Sequence, residues 1–104
     1  MNFDIMKSAS ERILIAAHRG TFGGNIPCNT LAGYEIALKQ GADIIEVDVE
    51  MSADGELFIF HPGKEQQHLN CAGRICEMTA SEVSELRSVN FDRVYTQFVI
   101  NTLD

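Results

Sequence analysis

The sequence predicts an α/β fold in which strands alternate with helices and pair in parallel. Three observations predict it: a short apolar run at Ile13–Ala17, a helical pattern over residues 31–40, and a strictly alternating stretch over residues 44–51. A strand, a crossover helix and a further strand imply parallel pairing. The 104 residues suffice for one compact domain.

The apolar run Ile13–Ala17 is typical of a strand that is buried on both faces, and the residues before it can form a helical lead-in. In the helix predicted over residues 31–40, Asn29 or Thr30 can cap the first turn by accepting hydrogen bonds from free backbone amides. Gly41 can end the helix because glycine tolerates the left-handed conformation.

The alternating stretch over residues 44–51 separates acidic from apolar side chains. Glu46 and Asp48 project from the same face, about 7 Å apart by the rise of a strand. Two carboxylates this close repel each other, and a divalent cation between them would remove that penalty. Oxygen ligands favour Mg²⁺ or Ca²⁺ over zinc. The alternative interpretation is a solvated acidic face of a half-exposed strand.

Asp54-Gly55 predicts a turn, and the apolar strand after it, over residues 57–60, ends at His61. Two pairings are possible. In a hairpin with a two-residue loop, Asp48 lies directly opposite His61. In a parallel arrangement, both residues lie at strand ends on one rim. We favour the parallel arrangement, and either geometry predicts that His61 lies near Glu46 and Asp48.

His18 and Arg19 lie where the first apolar strand gives way to a glycine-rich loop. Histidine exchanges protons near neutral pH, and the planar guanidinium suits phosphate oxygens. The alternative is a packed histidine beside a surface arginine. His68 has no partner at a useful spacing and is interpreted as a surface residue, while Cys71 and Cys76 receive no role.

The second half of the chain is less regular. Residues 64–74 are polar and predicted to be a loop, and Thr79 with Glu82 fits a capping box for a helix over residues 80–88. The last four residues, 101–104, have the pattern of a helix start. We therefore expect the chain to be truncated.

Composition limits the classes of binding partner and the cellular compartments that we expect for this protein. The formal net charge of -7 argues against a nucleic-acid partner, which needs a basic face. The three cysteines form no Cys-x-x-Cys pair, so free thiols in a reducing compartment are expected. The N-terminus lacks a secretory signal and no apolar stretch is long enough for a transmembrane segment. We expect a cytoplasmic protein.

The order and spacing of these motifs resemble the N-terminal part of the glycerophosphodiester phosphodiesterase family, within the PLC-like phosphodiesterase superfamily. The matching stretches are His18-Arg19-Gly20, Pro27-Cys28-Asn29-Thr30, Gly41-Ala42-Asp43, Glu46-Val47-Asp48-Val49, Asp54-Gly55 and Phe60-His61. Two positions depart from the family pattern. Cys28 stands where the family has glutamate, and Pro62 stands where it has aspartate.

The resemblance implies a partial TIM-type (β/α) barrel, comprising the first three strands and their helices, with residues 1–104 as the N-terminal part of the domain. It implies hydrolysis of a glycerophosphodiester to an alcohol and glycerol 3-phosphate, in lipid and glycerol metabolism. Glu46 and Asp48 would hold Ca²⁺ or Mg²⁺, and Arg19 would bind a phosphate oxygen. His18 and His61 would be the catalytic acid and base, in an order that the sequence leaves open.

Two alternatives stay open at this point. One is a related phospholipase C or sphingomyelinase D-like phosphodiesterase on the same barrel. The other is an inactive fragment or binding module, since an open half-barrel exposes strand edges and can self-associate.

Overall fold

A computed structural model describes residues 4–23, 25–90 and 92–104. They form a mixed α/β fold. The helices are α1 (Ile5–Glu11), α2 (Leu31–Lys39), α3 (Glu65–Leu69), a 3₁₀ turn (Ile75–Glu77) and α4 (Ala80–Ser84). The strands are β1 (Ala16–His18), β2 (Ile44–Glu46), β3 (Val49–Met51), β4 (Leu57–Ile59), β5 (Arg87–Val89) and β6 (Tyr95–Val99).

The first strand lies further along the chain than predicted, and it is less buried. β1 spans Ala16–His18, and the side chain of Ile13 is 89% exposed. The lead-in before it is helical, as expected, and Asp4 caps α1 by accepting from the Lys7 amide. Asp43 fixes the approach to β1: its carboxylate binds the Arg12 guanidinium at 2.6 and 3.0 Å and accepts from the Ile15 amide at 3.0 Å.

The predicted helix over residues 31–40 is confirmed as α2. Thr30 caps it, with its hydroxyl accepting from the Gly33 amide at 3.1 Å. Gly41 follows the helix with φ of 99°, a left-handed conformation that favours glycine. The start of α2 packs tightly against the loop that follows β1, because a Cβ on Gly33 would lie 2.6 Å from the Thr21 carbonyl oxygen.

The predicted strand over residues 44–51 is two strands. β2 pairs with β1 in parallel, as predicted, with His18 opposite Glu46. The chain then leaves this pair at Val47 and Asp48, and β3 pairs with β4 instead. Apolar and acidic side chains still alternate across this change of partner, but the apolar side chains of Val47, Val49 and Met51 are exposed to solvent.

The parallel pairing that we favoured for the strands around Asp54-Gly55 is wrong. β3 and β4 form an antiparallel hairpin, because the short connection cannot make the crossover that parallel strands need. The register also differs by one residue from the two-residue hairpin, since the Ser52 amide donates to the Glu56 carbonyl across a three-residue loop. Asp48 therefore lies opposite Phe60, whose amide donates to the Asp48 carbonyl at 2.9 Å, and not opposite His61.

The second half of the chain differs most from the sequence predictions. The predicted loop over residues 64–74 contains α3, whose buried Glu65 carboxylate accepts from the Ile75 amide at 3.1 Å. The Thr79 cap of α4 is confirmed by a 3.2 Å bond from the Glu82 amide. However, α4 ends at Ser84 rather than continuing to residue 88, and the antiparallel pair β5–β6 follows it.

The end of the chain is extended, so the helix start predicted over residues 101–104 is wrong. Ile59 donates to the Asn101 carbonyl at 2.8 Å, and Leu103 donates to the Leu57 carbonyl at 3.0 Å. This segment thus lies antiparallel to β4. The hydrophobic core is formed largely by the second half of the chain, and its buried side chains are Phe58, Phe60, Leu69, Ile75, Val83 and Ile100.

Within the described ranges, no helix has the length and apolar character that crossing a membrane requires.

Candidate functional site

The parallel pair β1–β2 places His18 beside Glu46. The two residues are register partners, so their side chains leave neighbouring strands on the same face. The His18 Nε2 atom lies 3.6 Å from Oε2 of Glu46. The imidazole is 68% exposed, so a substrate can reach it from solvent.

Arg19 turns back from β1 towards Asp48. Its amide donates to the Glu46 carbonyl at 3.0 Å, and its backbone is left-handed with φ of 61°. The Nε atom lies 3.1 Å from Oδ2 of Asp48, close enough for an ion pair, although Nε makes no hydrogen bond with any described residue. Both side chains are largely shielded from water, which strengthens the attraction between their charges.

Asn29 organises this pair of charges. Its side-chain Nδ2 donates to Oδ2 of Asp48 at 3.0 Å, and its Oδ1 accepts from the Tyr34 hydroxyl at 3.0 Å. Its own amide donates to the Arg19 carbonyl at 2.9 Å. Asn29 is buried and has φ of 57°, a conformation that asparagine tolerates better than most residues.

Gly20 lets the loop pass over the first turns of α2. It has φ of 79°, and a Cβ added there would lie 2.7 Å from Cδ1 of Tyr34. The glycine of the His18-Arg19-Gly20 stretch therefore serves both backbone conformation and close packing. The phenol of Tyr34 is held neutral in this position: burial, and then the charge of Asp48, raise its pKa.

His61 is placed near the site by Phe60, the residue before it in the sequence. Phe60 is hydrogen-bonded to Asp48, and His61 follows it at the end of the hairpin. The His61 Nδ1 lies 2.8 Å from the Pro62 carbonyl oxygen. Among residues 4–23, 25–90 and 92–104, no hydrogen bond or ion pair joins the His61 ring to Glu46 or Asp48. The structure thus pairs His18 with Glu46 and Arg19 with Asp48, whereas His61 follows the residue whose amide donates to Asp48.

His68 is half-buried, so its interpretation as a surface residue is wrong. Its Nδ1 lies 3.8 Å from Sγ of Cys28, and its ring meets Phe60 edge-on. Burial, followed by the positive charge of Arg19, lowers the pKa of His68. Burial raises the pKa of the Cys28 thiol, and this effect is larger than the opposing effect of Arg19, which lowers the pKa. The two groups therefore meet as neutral partners.

One carboxylate oxygen of Glu46, the buried Oε2, makes no hydrogen bond with the described residues. Oδ2 of Asp48, in contrast, already faces Arg19 and Asn29. The part of the chain that the structure describes contains no group of three or more acidic, histidine or cysteine side chains arranged to hold a metal. The two carboxylates suit a hard cation but supply only part of its coordination shell.

The sequence profile of the glycerophosphoryl diester phosphodiesterase family matches residues 18–104. The chain belongs to this family. A glycerophosphodiester phosphodiesterase of Bacillus subtilis is 38% identical over 76 residues, which are 73% of this chain and 26% of that protein. The Bacillus altitudinis enzyme of the same name is 44% identical over 69 residues, covering 66% of this chain and 28% of that protein. The chain thus spans less than a third of the length of these two relatives.

Solved structures of the glycerophosphodiester phosphodiesterase family share the fold. The Agrobacterium tumefaciens enzyme superposes with a TM-score of 0.78 at 36% identity, covering 89% of this chain and 40% of that chain. An Oleispira antarctica phosphodiesterase, in complex with the product sn-glycerol-3-phosphate, gives a TM-score of 0.76 at 33% identity. That alignment covers 92% of this chain and 39% of that chain.

Sequence reasoning missed the positioning role of Asn29 and Tyr34. Asn29 was considered as a helix cap, and that role belongs to Thr30. The pair Asn29-Thr30 could have indicated the positioning role. A helix needs only one of two adjacent capping residues, so the other is free to form hydrogen bonds elsewhere. Nothing in the sequence indicates that the Tyr34 hydroxyl donates to Asn29.

Proposed function

We propose that residues 1–104 form the N-terminal part of a glycerophosphodiester phosphodiesterase domain, built as a partial TIM-type barrel. The reaction would release an alcohol and glycerol 3-phosphate from a glycerophosphodiester. One observation carries the proposal: an exposed imidazole, a shielded guanidinium and two carboxylates converge where the parallel pair β1–β2 ends. The carboxyl ends of parallel strands are the usual location of active sites in such barrels.

We propose Glu46 and Asp48 as ligands of Ca²⁺ or Mg²⁺. The Oε2 atom of Glu46 supports this assignment, because it is shielded from water and accepts no hydrogen bond from the described residues, so a cation would supply a compensating charge. When bound, such a cation supplies positive charge against the phosphate.

Arg19 is the proposed phosphate-binding residue. Its Nε faces Asp48, so the carboxylate holds the guanidinium plane in place while Asn29 holds the carboxylate. The remaining guanidinium N–H groups can then donate to phosphate oxygens, in the forked geometry that arginine offers. A preorganised donor of this kind favours the charge that develops during phosphoryl transfer.

His18 and His61 are the proposed proton carriers. The neighbouring hydroxyl of the glycerol unit attacks phosphorus as one imidazole takes its proton, and the bond from phosphorus to the alcohol oxygen breaks. The other imidazole gives a proton to that leaving oxygen. Water then opens the cyclic phosphate and yields glycerol 3-phosphate. The exposure of His18 beside Glu46 supports its part in this exchange.

Two further proposals concern the protein's surroundings. The three cysteines are free thiols, which supports a reducing, cytoplasmic location. The exposed apolar side chains of Val47, Val49 and Met51 support self-association of the chain.

The test is release of sn-glycerol 3-phosphate from glycerophosphocholine by the purified chain, with Ca²⁺ or Mg²⁺ added after chelation. We expect release that is lost in His18→Ala and in Arg19→Ala. Phosphatidylinositol and lysolipids serve as competing substrates, and preferential cleavage of these would indicate a phospholipase-like enzyme. Release that is unchanged in both variants would overturn the assignment of the site.

A further inference from the structure

A cavity of about 340 Å³ opens beside the candidate site. This volume lies within the range of small-molecule sites. Its wall is mostly apolar and draws on β4, β5 and β6 as well as the loop after β1. The apolar side chains in the wall include Phe22, Ile26, Ile59, Phe60, Val89 and Ile100.

The cavity continues the candidate site. Arg19 and Asn29 belong to both, because they line the cavity and also contact Asp48. A phosphate bound to Arg19 would therefore stand at the mouth of the cavity, and one of its two ester groups would extend inwards. Cys28 and His68 lie together on the wall nearest to Arg19.

The charge of the wall is unusual for this protein. The chain carries a net charge of -7, yet the residues that line the cavity include no carboxylate and two guanidinium groups, those of Arg19 and Arg93. Arg93 is fixed there, because its guanidinium donates to the backbone carbonyls of Gln66 and Gln67 and to the Asn70 side chain.

We propose that this cavity receives the alcohol group of the diester and selects an uncharged, apolar alcohol over a quaternary ammonium group. The inference rests on the proposed function and names the substrate class of that same site. Apolar side chains favour burial of an aryl or alkyl group. A cation in the cavity would meet the positive charge of Arg93, which donates to backbone carbonyls and an amide, whereas the charge of Arg19 is already paired with Asp48.

Aromatic rings argue for the opposite preference, since Phe22 and Phe60 could attract a quaternary ammonium through their π-systems. The Phe60 ring, however, already meets the His68 ring edge-on, with ring centroids 6.0 Å apart. Charge therefore decides the preference, because the fixed guanidinium of Arg93 acts on a cation at longer range than a ring face does.

The first test compares kcat/KM for two glycerophosphodiesters that share the glycerol phosphate and differ in the alcohol, phenol or choline. We expect at least a tenfold preference for the phenyl ester. Phenol is a better leaving group than choline, and this difference is the same in every variant. The ratio of the two kcat/KM values is therefore measured again in Gln67→Glu, which adds a carboxylate to the wall. We expect that variant to lower the ratio at least threefold.

Gln66→Glu is the matched control. Gln66 precedes Gln67 in α3, is exposed and does not line the cavity, so the same isosteric change there should leave the ratio unaltered. An equal fall of the ratio in both variants, or no fall in Gln67→Glu, would overturn the inference.

A second measurement separates this inference from the proposed function. Phenyl phosphate and phosphocholine are titrated into the full chain with labelled methyl groups, and the shifts of Val89 and Ile100 are followed by NMR. We expect phenyl phosphate to shift both methyl groups at concentrations at least tenfold lower. If no diester is cleaved but this preference holds, the proposed function fails and the cavity assignment stands. Equal binding, or a preference for phosphocholine, sinks the cavity assignment whatever the turnover.

Discussion

The His18 imidazole and the Glu46 carboxylate face each other across the parallel pair β1–β2, with Nε2 and Oε2 3.6 Å apart. The distance is longer than a hydrogen bond, and Oε2 of Glu46 finds no hydrogen-bond donor among the described residues. The carboxylate is therefore held in place by its strand, while Oε2, although shielded from water, has no hydrogen bond to give up when a ligand binds.

Glu46→Gln should weaken binding of Ca²⁺ and Mg²⁺ at least tenfold, because it removes the charge of that oxygen and keeps its shape. Isothermal titration measures the change. Glu50→Gln is the matched control: Glu50 lies nearby in sequence on β3, and its carboxylate is 3.9 Å from the Arg74 guanidinium. Equal weakening in both variants would show that the chain attracts cations through its overall charge and not through Glu46.

Asn29→Ala should lower the free energy of unfolding in two ways. It leaves the Tyr34 hydroxyl without its partner and removes the hydrogen bond to Oδ2 of Asp48, which then faces only Arg19; this costs about 1–3 kcal/mol. It also places a Cβ-bearing residue without a polar side chain at φ of 57°, which costs about 1–2 kcal/mol. Asn29→Gly separates the two, since it relieves only the backbone cost. Urea unfolding measures both variants, and equal losses would show that backbone conformation contributes nothing.

Gly20→Ala should destabilise the chain more than Gly55→Ala. Both glycines have positive φ, so each substitution costs about 1–2 kcal/mol in backbone strain. At Gly20 the new Cβ also collides with Tyr34, which adds about 1–3 kcal/mol, whereas nothing lies within 4 Å at Gly55. Thermal unfolding of the two variants, measured in one buffer, gives the comparison. A larger loss at Gly55 would contradict the packing of Tyr34 over the loop.

His68→Gln should remove part of the acid sensitivity of the fold. Because the pKa of His68 is lowered below 6.5, the folded chain binds fewer protons there than the unfolded chain does. The stabilisation is fully present above pH 6.5 and is lost as the pH falls towards the lowered value. The difference in unfolding free energy between parent and variant, followed against pH, should therefore be constant above pH 6.5 and change below it. A difference that is flat throughout would show that burial does not affect this imidazole.

The sequence predicted features that depend on neighbours along the chain. The helix over residues 31–40 and its cap, expected at Asn29 or Thr30, depend on residues within one turn, and the pairing of β1 with β2 follows from the crossover helix. The hairpin register could not be predicted because its turn is fixed from a distance. Asp54 accepts hydrogen bonds from the Ser52 hydroxyl at 2.6 Å and from the amide of Ala80, 26 residues away.

The residues of the candidate site also fall into two groups, those that the sequence could predict and those that it could not. His18, Arg19, Glu46 and Asp48 could be proposed from their spacing and from the family resemblance. The environment of His68 could not, because Cys28 lies forty residues earlier and only the folded chain brings the two together. The strands β5 and β6 are not predicted, because polar and apolar residues do not alternate along their sequences.

The change of partner at Val47–Asp48 has a consequence for how the site comes into being. Glu46 is held by one small sheet and Asp48 adjoins another, so neither pairing alone sets the spacing between the two carboxylates. Local opening of either sheet would spoil the arrangement while leaving the other half intact. The Arg19 amide is bonded to Glu46 and the Phe60 amide to Asp48, one on each side of this junction. Hydrogen exchange should therefore find both amides protected whenever the two carboxylates are correctly spaced.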